Sequence, residues 1–272
     1  MSSNIDTILN DISLKDKLVS LVRDCMQIAQ NTRNLKIKKK KDGTFITQVD
    51  KDINDLINAK LIAIFPSIPV LSEEGYISND LFLQDYYWLI DPIDGTSSFI
   101  NGKNSYSINI ALIYQGSSIL GIIGNPPTNT IWFGYRKRAF VINNNEIKSI
   151  KTQAFNKDDI KLILSNENDY KTNILINYFN KAKLEKLSSS MKFCKIAEGK
   201  ANLYPRLNSI SKWDIAAGDA IVRATNGVVY DLKGKDFNYK TPTSKTGEFF
   251  VLSSRNIWSS YLIEALKSIY NS

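Results

Sequence analysis

The 272-residue chain contains no histidine. Nothing supports a zinc site, so metal chemistry in this protein has to rest on oxygen donors. Its two cysteines, Cys25 and Cys194, stand far apart in apolar contexts, which reads as two reduced core thiols rather than a disulfide framework. No apolar run approaches eighteen residues, so no membrane span is expected, and the polar start Met1-Ser2-Ser3-Asn4 carries no signal-peptide pattern. The expected address is cytoplasmic, which is compatible with peripheral contact with a membrane. Internal repeats and recognised nucleic-acid modules are missing too.

What is present describes an ordinary globular chain, 43% apolar and 23% charged. It is long enough for one large domain or two intimate halves. The formal net charge is +8, concentrated locally in Lys36, Lys38, Lys39, Lys40 and Lys41. The turn signal Asp42-Gly43 follows at once, and no aromatic residue interleaves with the lysines. A solvated hairpin loop is the first reading. A basic rim attracting a small polyanion is the second, and duplex binding ranks last; no nucleic-acid partner is expected.

Periodicity sets out a mixed α+β chain of the α/β class. Leu14, Leu18, Leu21, Val22, Cys25, Ile28 and Ala29 recur at helical spacing, as do Val49, Ile53, Leu56, Ile57, Leu61 and Ile64 before Pro66. From Tyr106 to Ile142 the pattern is β-rich, with strands at 107–114, 119–123, 130–135 and 139–142. A polar connection from Asn143 to about Asp159 divides an N-terminal half (1–150) from a C-terminal half (151–272). In the second half, strands are predicted at 160–164, 201–204, 227–230 and 249–252. Helices are predicted around 174–179 and over 191–197, 213–224 and 257–269.

The chemistry sits where apolar segments run into acids. Trp88-Leu89-Ile90-Asp91-Pro92-Ile93-Asp94-Gly95-Thr96 delivers two carboxylates at a strand end. Asp91 and Asp94 can share hard divalent cations, with the Ile93 carbonyl as a further oxygen. Gly95 permits close approach to the backbone, and Thr96 is placed to position a water or open a helix. The competing reading is an Asp-Pro turn after a strand. Three other junctions match: Phe45-Ile46-Thr47-Gln48-Val49-Asp50, Val70-Leu71-Ser72-Glu73-Glu74-Gly75 and Lys212-Trp213-Asp214-Ile215-Ala216-Ala217-Gly218. Each has a structural reading alone: an N-cap for Thr47 or Asp50, a surface pair for Glu73 and Glu74, a first-turn charge for Asp214. Four together point to Mg²⁺, and Mg²⁺ with few protein ligands usually means phosphate chemistry.

These segments, in this order, resemble the magnesium-dependent, lithium-sensitive phosphatase superfamily of inositol monophosphatase and fructose bisphosphatase. The resemblance covers nearly the whole chain. Within it the chain looks most like the CysQ-type 3'(2'),5'-bisphosphate nucleotidases, through Ser189-Ser190-Met191-Lys192-Phe193-Cys194, Ala197-Glu198-Gly199, Ala201 to Arg206, and Asn109-Ile110-Ala111-Leu112-Ile113. It implies a layered αβαβα sandwich with the site between the halves, most metal ligands in the first and Asp214 in the second. It implies removal of the 3'-phosphate of adenosine 3',5'-bisphosphate. The alternative is a broad sugar or inositol phosphatase.

On the matching positions, Glu73, Asp91 and the Ile93 carbonyl would hold one Mg²⁺, and Asp91, Asp94 and Asp214 a second. A third, weaker ion would sit near Glu73 and Asp50. Asp50, Glu73 and Thr96 would be catalytic. Substrate would lie against Glu73, Ile93, Asp94, Asp214 and the amides of Gly95 and Thr96. Ser190, Lys192 and Arg206 would lie near its second phosphate; without the resemblance, Lys192 reads as a surface lysine and Arg206 as a strand-end arginine. Three departures bear on nucleotide selectivity and leave the metal chemistry untouched: Ser97-Ser98 after the Asp-Gly-Thr, Ser188 in place of a Gly, and Asn166-Glu167-Asn168 in place of an Arg and a His.

Overall fold

The computed structural model describes residues 11, 13–32, 35–40, 43–75, 78–144, 146–156, 158–165 and 169–270, without the side chain of Ser260. Lys41, Asp42, Asn145 and Asn166-Glu167-Asn168 lie outside the described residues.

Two helices come first, α1 (Leu14–Asn31) and α2 (Gln48–Ile64), separated by a hairpin of β1 (Ile37–Lys39) and β2 (Phe45–Thr47). A seven-stranded sheet follows in chain order: β3 (Val70–Ser72), β4 (Tyr86–Asp94), β5 (Ser107–Tyr114), β6 (Ser117–Asn125), β7 (Thr130–Tyr135), β8 (Arg138–Asn143) and β9 (Glu146–Ser149). β3 runs parallel to β4 and the remaining pairs are antiparallel. The short helix α3 (Thr96–Ile100) follows β4.

The second sheet has five strands: β10 (Lys161–Leu164), β11 (Lys183–Lys186), β12 (Leu203–Arg206), β13 (Val228–Asp231) and β14 (Phe249–Leu252). Their spatial order is β11-β10-β12-β14-β13. Helices α4 (Tyr170–Tyr178), α5 (Met191–Ala197), α6 (Trp213–Ala224) and α7 (Ile263–Tyr270) complete the chain.

Alternation along the strands explains the layering. On β4 and β5, Trp88, Ile90, Ile108, Ile110 and Leu112 turn to α1 and α2. Tyr87, Leu89, Ala111 and Ile113 turn the other way, onto α5, α6 and the inner face of the second sheet. That sheet's outer face, with Leu162, Leu203, Val228, Phe250 and Leu252, packs against Leu175 of α4 and Ala265 and Ile269 of α7. Both faces of both sheets are therefore covered, which is why strands such as β5 read as near-continuous apolar runs. The result is the αβαβα sandwich. Helix α6 lies tight on the first sheet: a methyl group at Gly121 would collide with the carbonyl of Ala217, and one at Gly134 with Ile221.

Several expectations need correction. The polar connection 143–159 contains β9, and β11 falls where no strand is expected. Both edge strands are exposed throughout, so neither carries the alternation that marks a half-buried strand. The strand expected at 201–204 lies at Leu203–Arg206. The C-terminal helix opens with a π-helical turn, Trp258–Leu262. No turn forms at Asp91-Pro92; β4 continues to Asp94, with an irregularity in register between the two aspartates. A proline is tolerated where the ladder is interrupted. Among the described residues, no helix is long and apolar enough to cross a membrane.

Candidate active site

Strand pairing assembles the acids. Ser72 is the last residue of β3 and stands beside Ile90. The amide of Glu73 then donates to the Ile90 carbonyl (3.2 Å), setting Glu73 next to Asp91. Asp91 continues the inward series Tyr87, Leu89 and so faces α6 rather than α1. Asp214 comes in from the opposite side, in the first turn of α6, with its carboxylate accepting from the Ser211 amide (3.1 Å). One oxygen each from Glu73, Asp91 and Asp214 lies within 4.8 Å of the others. Asp94 completes the wall. Gly95 then turns the chain into α3 with φ +88°, a left-handed conformation suited to glycine.

Asp50 and Thr96 occupy the adjoining corner. Thr47 and Asp50 form a reciprocal capping box at the start of α2, with Thr47 N and Oγ1 donating to Asp50 Oδ2 (2.8 and 2.5 Å). The structural reading of this junction therefore holds. Yet Asp50 Oδ1 still receives Thr96 Oγ1 at 3.4 Å, and Thr96 lies 3.1 Å from the Ile93 carbonyl.

The electrostatics are those of a site built for positive charge. Burial, then the charges of Glu73 and Asp94, push the Asp91 carboxyl well above the usual carboxylate range. Burial and the neighbouring Asp94 and Glu73 do the same to Asp214. Asp94 is raised by burial, against the pull of Lys192 and the hydrogen bonds from Ser190. Asp50 is raised by burial, against its Thr47 bonds. Asp91 Oδ1 is buried with no hydrogen-bond partner. Oxygen donors alone, an orphaned buried carboxylate oxygen and mutual repulsion relieved by positive charge fit a hard divalent cation.

Sequence reasoning missed Lys40. Its ammonium lies 3.0 Å from Glu73 and 2.7 Å from Glu74, so this lysine of the basic run turns into the acidic wall. Ile37, Lys38 and Lys39 of β1 are exposed, as a solvated hairpin predicts. Nothing in a run of like charges marks which member turns inward.

The facing wall is basic. Lys192 is buried in α5, its ammonium bonded to the Ser189 and Leu187 carbonyls (2.7 and 3.4 Å) and 5.2 Å from the centre of the Tyr204 ring. Burial lowers it to about 8, against the pull of Asp94. It is no surface lysine. Arg206, at the end of β12, donates to Ser165 Oγ (2.8 Å), and its Nε is buried without a partner. A cavity of about 340 Å³ runs between the walls, from Asp94 and Asp214 to Lys192, Tyr204 and Arg206.

Ser190 itself is buried and gives its hydroxyl to the acidic wall, while Ser188 and Ser189 line the cavity. Asn109 also escaped the sequence reading as a site residue. It stands beside Asp91 across the β4–β5 ladder, and its amide reaches Ser190 Oγ at 2.8 Å. The available signal was a lone amide inside an otherwise apolar strand.

The chain belongs to the inositol monophosphatase family, whose model matches residues 4–269. It is accordingly a phosphatase, and the enzymes of this family are metal-dependent. It is 35% identical over 232 residues to the 3'(2'),5'-bisphosphate nucleotidase CysQ of Buchnera aphidicola, covering 82% of this chain and 86% of that protein. To the CysQ nucleotidase of Escherichia coli K12 it is 31% identical over 231 residues, covering 82% and 93%. The crystal structure of CysQ from Bacteroides thetaiotaomicron superposes with a TM-score of 0.75 at 26% identity, covering 89% of this chain and 96% of that one.

Proposed function

We propose that this phosphatase removes the 3'-phosphate of adenosine 3',5'-bisphosphate, giving AMP and inorganic phosphate, with Mg²⁺ as its metal. The carrying observation is the pairing of walls: one cavity joins the edge of the acidic wall, at Asp94 and Asp214, to Lys192 and Arg206, and neither of these two basic residues pairs with a carboxylate among the described residues. A bisphosphorylated substrate can meet both, one phosphate at the acidic wall and the other at the basic wall. The CysQ relatives support the same reading by their names.

Glu73, Asp91 and the Ile93 carbonyl would hold one Mg²⁺; Asp91, Asp94 and Asp214 a second; Glu73 and Asp50 a third and weaker one. Bound Mg²⁺ lowers the pKa of water and neutralises charge on the phosphate and the leaving oxygen. Thr96 Oγ1, set between Asp50 and the Ile93 carbonyl, orients the attacking water for in-line displacement. As the new O–P bond forms, the P–O3' bond breaks. The water's proton passes to the Thr96–Asp50 pair, and the 3'-oxygen gains a proton from solvent. Main-chain N–H groups of Gly95 and Thr96 hold the transferring phosphate. Lys192 meets the other phosphate as a point charge and Arg206 as a fork. Cys25 and Cys194, free and buried, fit our placement of the enzyme in the cytoplasm.

Steady-state kinetics with Mg²⁺ on adenosine 3',5'-bisphosphate, inositol 1-phosphate and fructose 1,6-bisphosphate test the assignment. The highest kcat/KM is expected on the nucleotide; a clear preference for either of the others overturns it.

A further inference from the structure

Asp94 divides its two oxygens unequally. Oδ2 accepts from the Ser190 amide (2.5 Å) and Ser190 Oγ (2.8 Å), with Asn109 Nδ2 and Ser107 Oγ each at 3.4 Å. No donor reaches Oδ1 among the described residues. The hydroxyl of Ser190 has a single proton and three partners at 2.8 Å: Asn109 Nδ2, Asp94 Oδ2 and the Asp214 carbonyl. An amide N–H can only donate, so Asn109 fills the acceptor side of the hydroxyl and sends its proton outward. Of the two remaining acceptors the carboxylate is the stronger.

The amide of Asn109 is held in this sense by Asp94, since turning it over would put Oδ1 against the carboxylate. In the observed orientation Oδ1 is itself buried without a partner. Leaving a buried amide oxygen unpaired is a cost, and the bonds from Nδ2 to Ser190 and Asp94 are what offset it. Ser190 also leads directly into α5, two residues before Lys192.

We propose that Asn109 is a positioning residue for the reaction: by fixing Ser190 it saturates one oxygen of Asp94, leaves the other for the cation, and ties the cation site to the helix that carries Lys192. This inference rests on the reading of Asp94 as a cation ligand. Groups that orient metal ligands in this way are worth about 10–100-fold in metal affinity.

The test is calorimetric titration of Mg²⁺ alone into substrate-free protein, beside a thermal melt in chelator. Asn109→Ala should bind Mg²⁺ about tenfold more weakly while its melting temperature in chelator stays close to that of the unchanged protein. Ser190→Ala should lose a similar factor, and the double variant little more, because both act through one hydroxyl. Asn109→Ala should also raise KM for adenosine 3',5'-bisphosphate at saturating Mg²⁺. Unchanged Mg²⁺ affinity in folded Asn109→Ala, or losses that simply multiply in the double variant, overturns the inference. Should Asn109→Ala fail to fold, Ser190→Ala decides: full Mg²⁺ affinity there overturns it equally. Absence of Mg²⁺ binding to the unchanged protein would instead overturn the cation reading on which it stands.

Discussion

On the wall formed by β3, β4 and α6, Asp91 and Asp214 are held above the usual carboxylate range by burial and repulsion and Asp94 by burial alone, with Lys40 as a cation beside Glu73. Across the cavity the strain has the opposite sign: burial pushes the Lys192 ammonium down to about 8, and Arg206 keeps an unpartnered Nε. The attraction between Lys192 and Asp94 offsets burial on both walls without overcoming it. Perturbed groups of opposite sign facing one cavity mark a site whose partner is supplied from outside. On the function proposed above, the acidic wall holds the cation and carries the chemistry, and the basic wall meets an anion and carries the choice of substrate.

That division can be broken by substitution. Asp94→Asn, on the acidic wall, should reduce Mg²⁺-dependent phosphate release by about 10³-fold or more, the loss of several kcal/mol of charge stabilisation in the transition state. Phosphate-release assays at saturating Mg²⁺ measure it, and near-normal turnover would remove Asp94 from the chemistry. Lys192→Ala, on the basic wall, should raise KM for the bisphosphate by about 10–100-fold, the worth of a hydrogen bond between charged groups, and leave a monophosphate nearly unaffected. Equal effects on both esters would dissolve the division of labour.

The same lysine predicts a pH limb. Lys192 is charged below about 8 and neutral above it, so kcat/KM for the bisphosphate should fall as the pH rises through that value, and the limb should vanish in Lys192→Ala.

The smallest effect concerns stability. A carboxyl raised in the folded state favours folding at pH below its unfolded value, and that contribution is lost as the pH rises through the raised value. Without metal, Asp91 is therefore a liability at neutral pH. Asp91→Asn should raise the melting temperature in chelator by about 2–4 °C, by less as the pH is lowered, while eliminating activity. A lowered melting temperature at neutral pH would show that the charge is compensated elsewhere.

The two walls were unequally legible. The acidic residues stand at the ends of short apolar strands or the starts of amphipathic helices, so Asp50, Glu73, Asp91, Asp94 and Asp214 could be picked out one junction at a time. Helices α1, α2 and α6 and strand β5 were equally readable, since periodicity or continuous apolarity marks an element packed on a core. Lys192 and Arg206 carried no such mark: buried positive charge looks like surface charge until the fold is known. Lys40 was hidden among like residues, and Asn109 owes its place to its neighbour across the β4–β5 ladder. Strands β9 and β11 went unread because an exposed edge imposes no pattern on its side chains.

At Gly121 helix α6 rests on the sheet with backbone against backbone, the main chain of Ala217 meeting a residue that has no side chain. Side-chain packing can adjust by switching rotamers; a contact of this kind has nothing to switch. The spacing of Asp214 on the helix from Asp91 on the sheet thus leans on a non-bonded backbone contact that cannot repack, at Ala217 one turn along α6 from Asp214, much as a fixed jaw sets the bite of a caliper. Gly121 lies in neither wall, yet Gly121→Ala should push α6 off the sheet and carry Asp214 away from Asp91.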